Sequence, residues 1–593
     1  MDTSGVYLDY VGAAKPYPGQ LEAVFEQLLN GPELANPHSR NAASRVTTEL
    51  VENARHRVLE FFCANRDEYT VIFTSGATGA LKLLAECFQF HNDDRRETSE
   101  TLSGTTDTRN GGHVGQANSE AVGNRPLFAY LLDNHTSVVG MRETIRERHN
   151  ASTERSVEIR CVSTFDELEV AAHLNKTNRG GRNLFVYPAQ SNFCGRRYPL
   201  DWIQRLHDHH RHWYVCLDAA SFVSTTRLDL SVAKPDFIPI SFYKIFGYPT
   251  GLGALLVHRE AALRKVYYGG GTVQVSLPTM HYHVNRPQLA ECFEDGTIDF
   301  LGILALRHGF DAIERFGGMS IVHQHTFRLA AYAYRVLSNL RHGNSSSVVK
   351  LYCSSDFSNP ETQGAVVNFN LLKPDGCHVG YTEVEKMAEL YNIHLRTGCF
   401  CNQGACQLYL GLSDDVIVEN FKGGKTCGDE LDLINGQPVG SVRISFGGLS
   451  THDDVQKFIG MVYDCFVVDS SVTFPFSLTD MFIYPIKSCR GYSVSAWPLC
   501  DRGLKYDRHW LLADRNGVTM TQKRYPKMCR LQPVVSLLEG TVTLRFDSDD
   551  CEETVERRIS MTLDQSNTTA ASIEDNVDML WQQRCEHTVC SDR

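Results

Sequence analysis

The chain has 593 residues, 42% of them hydrophobic and 22% charged, with a net charge of −12, the balance of a soluble globular protein with room for three or four domains. The acidic balance gives no reason to expect nucleic-acid binding, no run of 18 apolar residues offers a membrane helix, and nothing at the start reads as a signal peptide. Nineteen cysteines, an odd number scattered along a long chain, predict reduced thiols in a cytoplasmic protein rather than a disulfide framework.

From Thr70 onward, short apolar runs alternate with helical patterns. Thr70–Thr74 reads as a strand and Ala77–Phe88 as the helix after it. Residues 92–125 are polar and rich in Gly, Ser, Thr and Asn; they cannot bury a core and read as a disordered surface insertion. Leu127–Leu132 is the next strand, with helical material from Thr136. Leu184–Tyr187, Trp213–Leu217, Phe237–Ile240 and Gly253–Val257 complete the set. Strands separated by helices predict an α/β fold with a mostly parallel sheet, whose ligands bind at the carboxyl ends of the strands. His342–Ser347 is a smaller polar stretch of the insertion type. Around Asp464–Thr479 the texture changes, and MFIYPIKS, HWLLADRNGVTMTQ and SLLEGTVTLRF read as strands and turns of a separate β-rich domain. The predicted division is 1–465 and 466–593.

Side chains with chemistry to offer sit at the ends of those strands. Thr74–Gly79 (TSGATG) joins a strand to a helix; small residues let N–H groups approach an anion there, with Ser75, Gly76 and Thr78 at hand. A capped strand–helix turn is the plainer reading. His135 closes Asp133-Asn134-His135, where an imidazole can cover a flat ring or simply start a helix. Asp218 follows the buried run WYVCL; its carboxylate suits a pyridinium nitrogen, or else caps a helix. Lys244 follows FIPISFY and precedes a glycine turn, an unusual place for a lysine. Desolvation there lowers its pKa, which amine chemistry on a carbonyl requires. In RTGCFCNQGAC, Cys399, Cys401 and Cys406 lie within eight residues. Metal ligands, structural thiols and a reactive thiol near Arg396 are all open to them, although the spacing lacks a clear fourth zinc ligand.

In this order the motifs resemble the class V, fold-type I aminotransferase superfamily, and within it the cysteine desulfurases, from YLDYVGAAKPYP (Tyr7–Pro18) to about Asp464. The resemblance implies pyridoxal phosphate held covalently by Lys244, with Asp218 on the pyridine nitrogen and His135 stacked on the ring. It implies Ser75, Thr78 and Ser241 as phosphate ligands, with Tyr243 standing where the family often has His. Gly269–Thr272 resembles the segment whose Thr272 reaches the phosphate across a homodimer interface. Arg396 aligns with the arginine that grips the substrate carboxylate, Asn192 with its helper, and Cys401 with the persulfide cysteine. Ser221 stands where the family commonly has Gln, which puts the usual contact to the ring hydroxyl in question.

LRTGCFCNQGAC further resembles the molybdenum cofactor sulfurases, and residues 479–533 resemble their MOSC N-terminal β-barrel. Lys487 to Arg530 holds ten Lys/Arg against three acids, a net +7, which suits an anionic pterin phosphate; a solvated barrel face is the plainer reading of any one of these side chains. Residues 579–593 resemble only the opening of the second MOSC segment. That implies a truncated or shortened chain. The implied activity is removal of sulfur from L-cysteine, giving alanine and a persulfide on Cys401. Sulfuration of the molybdenum cofactor follows, activating hydroxylases such as xanthine dehydrogenase and aldehyde oxidase. The competing readings are a cysteine desulfurase or selenocysteine lyase serving another acceptor, and a non-catalytic cofactor-binding scaffold.

Overall fold

A computed structural model describes residues 5–91, 125–149, 156–174, 181–209, 212–259, 261–468, 480–494, 496–500, 503–514, 517–537, 539–546, 559–562, 571–572 and 587–591. All but Arg125 of the polar insertion lies outside these residues, as does most of the 579–593 segment. The chain divides into two compact units, Met1–Val472 and Thr473–Arg593.

The first unit is built on a seven-stranded sheet. Its strands are β1 (Tyr69–Thr74), β2 (Leu127–Leu131), β3 (Glu158–Val162), β4 (Asn183–Pro188), β5 (Trp213–Asp218), β6 (Phe237–Ser241) and β7 (Gly253–His258). Their spatial order is β1-β7-β6-β5-β4-β2-β3. The four pairings from β6 through β3 are parallel, while β7 is antiparallel to both neighbours. Every residue of β2, β4 and β6 is buried, because helices cover both faces and strands without an exposed face need no polar alternation. Successive side chains feed opposite layers: Val71 and Phe73 enter one core cluster and Ile72 the other, and Phe185 and Leu184 divide the same way. Helix α1 (Gly76–Cys87) follows β1 directly, and α2 (Thr136–His149) follows β2. The predicted mostly parallel sheet is therefore present. The edge strand β3 was not foreseen; Glu158 and Cys161 are exposed on it and Arg160 carries its charge there, as edge strands do.

A second sheet completes this unit. β8 (Val349–Leu351), β9 (Val366–Leu371), β10 (Arg396–Gly398) and β11 (Ser441–Ser445) are antiparallel in the order β8-β9-β11-β10. Leu329, Val384, Phe458 and Met461, from three helices, close one core with Val367, Phe369 and Ile444. The stretch His342–Ser347, expected to be a loose insertion, is instead a tight connection into this sheet. His342 is buried, its Nε2 contacts the Leu372 carbonyl at 2.9 Å, and its Nδ1 accepts from Val468 N–H.

The second unit is β-rich, as expected. Met481–Ile483 pairs with Tyr492–Val494, Leu531–Ser536 with Thr541–Phe546, and Trp510–Asp514 with His587–Ser591, all antiparallel. Ile486, Trp510, Leu512, Met528 and Val535 form its core. No helix among the described residues is long and apolar enough to cross a membrane.

Candidate active site

The carboxyl ends of β1, β2, β4, β5 and β6 surround one narrow cleft lined by Thr78, His135, Asn192, Asp218, Ser221, Ser241, Tyr243 and Lys244 among others, the place where open α/β sheets bind their ligands. Lys244 lies on the single helical turn Tyr243–Phe246 that follows β6. Gly247 after it has φ +80, and a Cβ there would lie 2.5 Å from Pro16 N, so only glycine lets the Tyr7–Pro18 segment close over the turn. Ala14 N–H donates to the Tyr243 carbonyl at 3.2 Å. Burial draws the Lys244 ammonium below its ordinary pKa, with the Asp218 carboxylate acting the other way. Burial likewise lowers His135, Asp218 again opposing and Lys244 and Arg396 adding to it. Those mutual effects place His135, Asp218 and Lys244 within electrostatic reach of one another.

At the start of α1, Gly76 takes φ +72 and Ser75 spends its hydroxyl on no helix cap. Ala77 N–H donates to Ser241 Oγ at 2.9 Å, and Thr78 Oγ1 lies 2.8 Å from Ser137 Oγ. Ser137 N–H donates to His135 Nδ1 at 3.1 Å, which leaves the ring proton to Nε2 in the neutral imidazole. Hydroxyls from three elements thus meet at a helix N-terminus, which favours an anion. A depressed amine, a carboxylate at a strand end, an imidazole and this anion-binding corner share one cleft, and that donor set fits pyridoxal phosphate. Ser137 was not foreseen. Gln190 lines the same cleft, and its amide donates to Ser221 Oγ at 3.2 Å, which sets an amide beside the shorter Ser221.

Arg443, on β11, is the larger omission. Its side chain is 1% exposed, against 42% for Arg396. The two are direct cross-strand partners, an arrangement that like charges resist. Asp9 relieves it, bonded to Arg443 at 2.5 Å and 4.0 Å from Arg396. Arg443 Nη1 also donates to the Asn192 carbonyl at 2.8 Å, while its buried Nε finds no acceptor. Arg443 interacts electrostatically with both Lys244 and Cys401.

Cys401 is exposed on a strained turn. Phe400 and Cys401 both take left-handed φ, 55 and 54, a conformation costly for non-glycine residues unless the surroundings impose it. Here they do. Thr136 N–H and Oγ1 both donate to the Cys401 carbonyl, at 2.7 and 2.9 Å, and Asn192 Nδ2 donates to the Phe400 carbonyl at 2.7 Å. Asn402 caps the helix Gln403–Leu410 through Ala405 N–H and donates to Asp133 and Asn192. Asn402→Ala removes the cap and these tethers; we expect about 1–3 kcal/mol lower stability in denaturant unfolding. Cys399 and Cys406 are joined in a disulfide, which corrects the expectation of reduced thiols throughout and leaves neither as a thiol ligand for a metal.

The predicted residues do not all share one cavity. Cys401 and Arg396 line a larger open cleft beside Tyr381, Glu385 and Phe421, whereas Lys244, His135 and Asp218 line the first. Thr272 is fully buried in its own chain, its hydroxyl donating to the Gly269 carbonyl.

The description "Aminotransferase class-V" matches residues 6–101 and 131–458, and "MOSC N-terminal beta barrel domain" matches 476–585. Solved structures agree on the fold. A cysteine desulfurase from Thermococcus onnurineus NA1 superposes with TM-score 0.57 at 19% identity, covering 78% of this chain and 94% of that one. The cysteine desulfurase CsdA from Escherichia coli gives 0.54 at 18%, covering 78% and 95%. Fold and cleft define a pyridoxal-phosphate enzyme of the class-V aminotransferase type. The chain is 40% identical to the molybdenum cofactor sulfurase of Homo sapiens over 91% of its length and 68% of that protein's, and 41% identical to that of Danio rerio over 92% and 68%. It belongs to the molybdenum cofactor sulfurase family.

Proposed function

We propose that the chain is a sulfurtransferase that takes sulfur from L-cysteine, carries it as a persulfide on Cys401, and delivers it to the molybdenum cofactor. The observation that carries the reading is the conjunction at β2: His135 faces the Lys244 cleft while the next residue, Thr136, holds the Cys401 carbonyl. Pyridoxal phosphate, when bound, supplies an electron sink that labilises bonds around the substrate's α-carbon. Lys244 would hold it, Asp218 would keep its ring nitrogen protonated, His135 would cover the ring, and Ser75, Gly76, Thr78, Ser241 and Tyr243 would bind its phosphate, with Gln190 and Ser221 beside the ring hydroxyl.

L-Cysteine enters with its carboxylate toward Arg396, Arg443 and Asn192. Arg443, held by Asp9 and bonded to the Asn192 carbonyl, adds its positive charge behind that carboxylate. Arg443→Lys keeps the charge but loses the fork. We expect the KM for L-cysteine to rise about ten- to a hundredfold with kcat less affected, as loss of a charged hydrogen bond of about 1.5–3 kcal/mol implies. Lys244, as the neutral amine, takes the α-proton. Cys401 thiolate attacks the substrate sulfur; the new S–S bond forms as the Cβ–S bond breaks, and alanine leaves. Only the neutral amine accepts a proton, and burial lowers the Lys244 pKa. Alanine production therefore rises with pH through a midpoint below the ordinary lysine value of about 10.4; a pH–rate profile checks this, and Asp218→Asn, which removes the opposing charge, shifts the midpoint down.

In the second unit Lys487, Arg490, Lys505, Arg508, Lys523, Arg524 and Lys527 are exposed, which supports a surface for an anionic pterin phosphate. The product is a sulfido ligand in place of oxo on molybdenum, which activates hydroxylases such as xanthine dehydrogenase and aldehyde oxidase. The protein works in the cytoplasm as a homodimer; the exposed apolar Val275, Leu277, Tyr282 and Val284 support this, whereas the buried Thr272 is not the residue that would reach a partner's phosphate site. Incubating the protein, pyridoxal phosphate and L-cysteine with a xanthine dehydrogenase inactive for want of sulfide tests the reading. A cysteine-dependent gain of hydroxylase activity is expected. Alanine without that gain points to another sulfur acceptor.

A further inference from the structure

Cys401 carries its neighbours' threat with it. Asn402 N–H donates to the Cys399 carbonyl at 2.9 Å, so residues 399–402 form one tight turn whose two central residues are left-handed. Such a turn keeps its ends within about 7 Å, and Cys399 and Cys401, two residues apart inside it, fall in the Cα separation of about 4–7 Å that a disulfide spans. Cys399 also borders the cleft that Cys401 lines. Yet Cys399 is bonded to Cys406, which is wholly buried among Phe193, Cys194, Tyr352 and Phe400, whereas Cys401 is exposed and free.

We propose that the Cys399–Cys406 disulfide guards the sulfur carried on Cys401 by withholding Cys399 as a nucleophile. The proposal rests on the reading of Cys401 as the persulfide cysteine. Were Cys399 a free thiolate, it would attack Cys401 Sγ in the persulfide. The Cys399–Cys401 bond forms, the bond from Cys401 Sγ to the carried sulfur breaks, and hydrosulfide leaves with the electron pair. The two cysteines are oxidised and the carried sulfur is reduced, so no outside oxidant enters. The attack is intramolecular and has a high effective concentration; it discards the cargo and blocks Cys401. With Cys399 already bonded to a buried partner, the outer sulfur leaves only to an acceptor that comes to it.

The test uses the full-length, pyridoxal-phosphate-loaded protein treated with L-cysteine, followed by mass spectrometry of the 396–410 region and measurement of free sulfide and alanine. Cys406→Ser frees Cys399. It is expected to form alanine in the first turnover, to lose at least tenfold of the Cys401 persulfide, and to release sulfide while a Cys399–Cys401 disulfide accumulates. Combining it with Cys399→Ser is expected to restore wild-type persulfide occupancy. A Cys406→Ser protein that keeps its persulfide overturns the proposal. So does a double variant as depleted as the single one, since that marks damage to the packing around Phe400. A wild-type protein that makes no Cys401 persulfide removes the functional reading together with this one.

Discussion

Lys244→Ala is expected to lower alanine production from L-cysteine by at least about 10³-fold. General acid–base catalysis alone contributes about 10²–10⁴, and the same side chain is the anchor proposed for the cofactor. Lys244 is well placed to do both. It sits on one helical turn at the end of a fully buried strand, its amine is drawn below its ordinary pKa by burial, and Asp218 lies across the cleft. The variant should also lose the visible absorption of lysine-bound pyridoxal phosphate. Its fold should persist, because the side chain lines a cleft and fills no part of the main core. Near wild-type alanine formation by Lys244→Ala would move the amine chemistry to another residue.

Cys401→Ser is expected to separate binding from transfer. The hydroxyl keeps the size of the thiol but attacks sulfur poorly, so sulfur carriage on the protein, and cysteine-dependent activation of a hydroxylase, should fall to background, about 10³-fold or more, as for other nucleophile replacements. Pyridoxal phosphate binding should be unchanged, since Cys401 lines the neighbouring cleft and not the one around Lys244. The backbone of the turn should hold too, because Thr136 and Asn192 grip carbonyl oxygens rather than the thiol. Visible absorption and circular dichroism report on both.

Much of this was legible in the sequence because the chemistry sits at strand ends. Asp218 and Lys244 each close an apolar run buried on both faces, and such runs stand out whatever surrounds them. What stayed hidden depends on contacts between distant segments. Arg443 lies in SVRISFGG, where an arginine in a short strand reads as a solvent-facing side chain; only its pairing with Arg396 and the reach of Asp9 across 434 residues bury it. Ser137 became visible only once α2 turned it toward Thr78. The Cys399–Cys406 bond was obscured by composition, since scattered cysteines argue for thiols, and by a helix cap at Asn402 that folds the two sulfurs together. β3 escaped notice because an edge strand carrying Glu158, Arg160 and Cys161 lacks the apolar run that marked its neighbours. His342 looked like a loop residue in a polar stretch; its two ring nitrogens meet backbone groups from separate segments.

If one amine and one thiol act in sequence on the same sulfur atom, that atom passes through Cys401 only when Lys244 is present. Mass spectrometry of the peptide bearing Cys401, after treatment of the pyridoxal-phosphate-loaded protein with L-cysteine, measures this directly. A gain of one sulfur atom, about 32 daltons for a covalently held persulfide, is expected on Cys401 in the wild type and none in Lys244→Ala. Added sulfur at another cysteine, or on Cys401 regardless of Lys244, would contradict it.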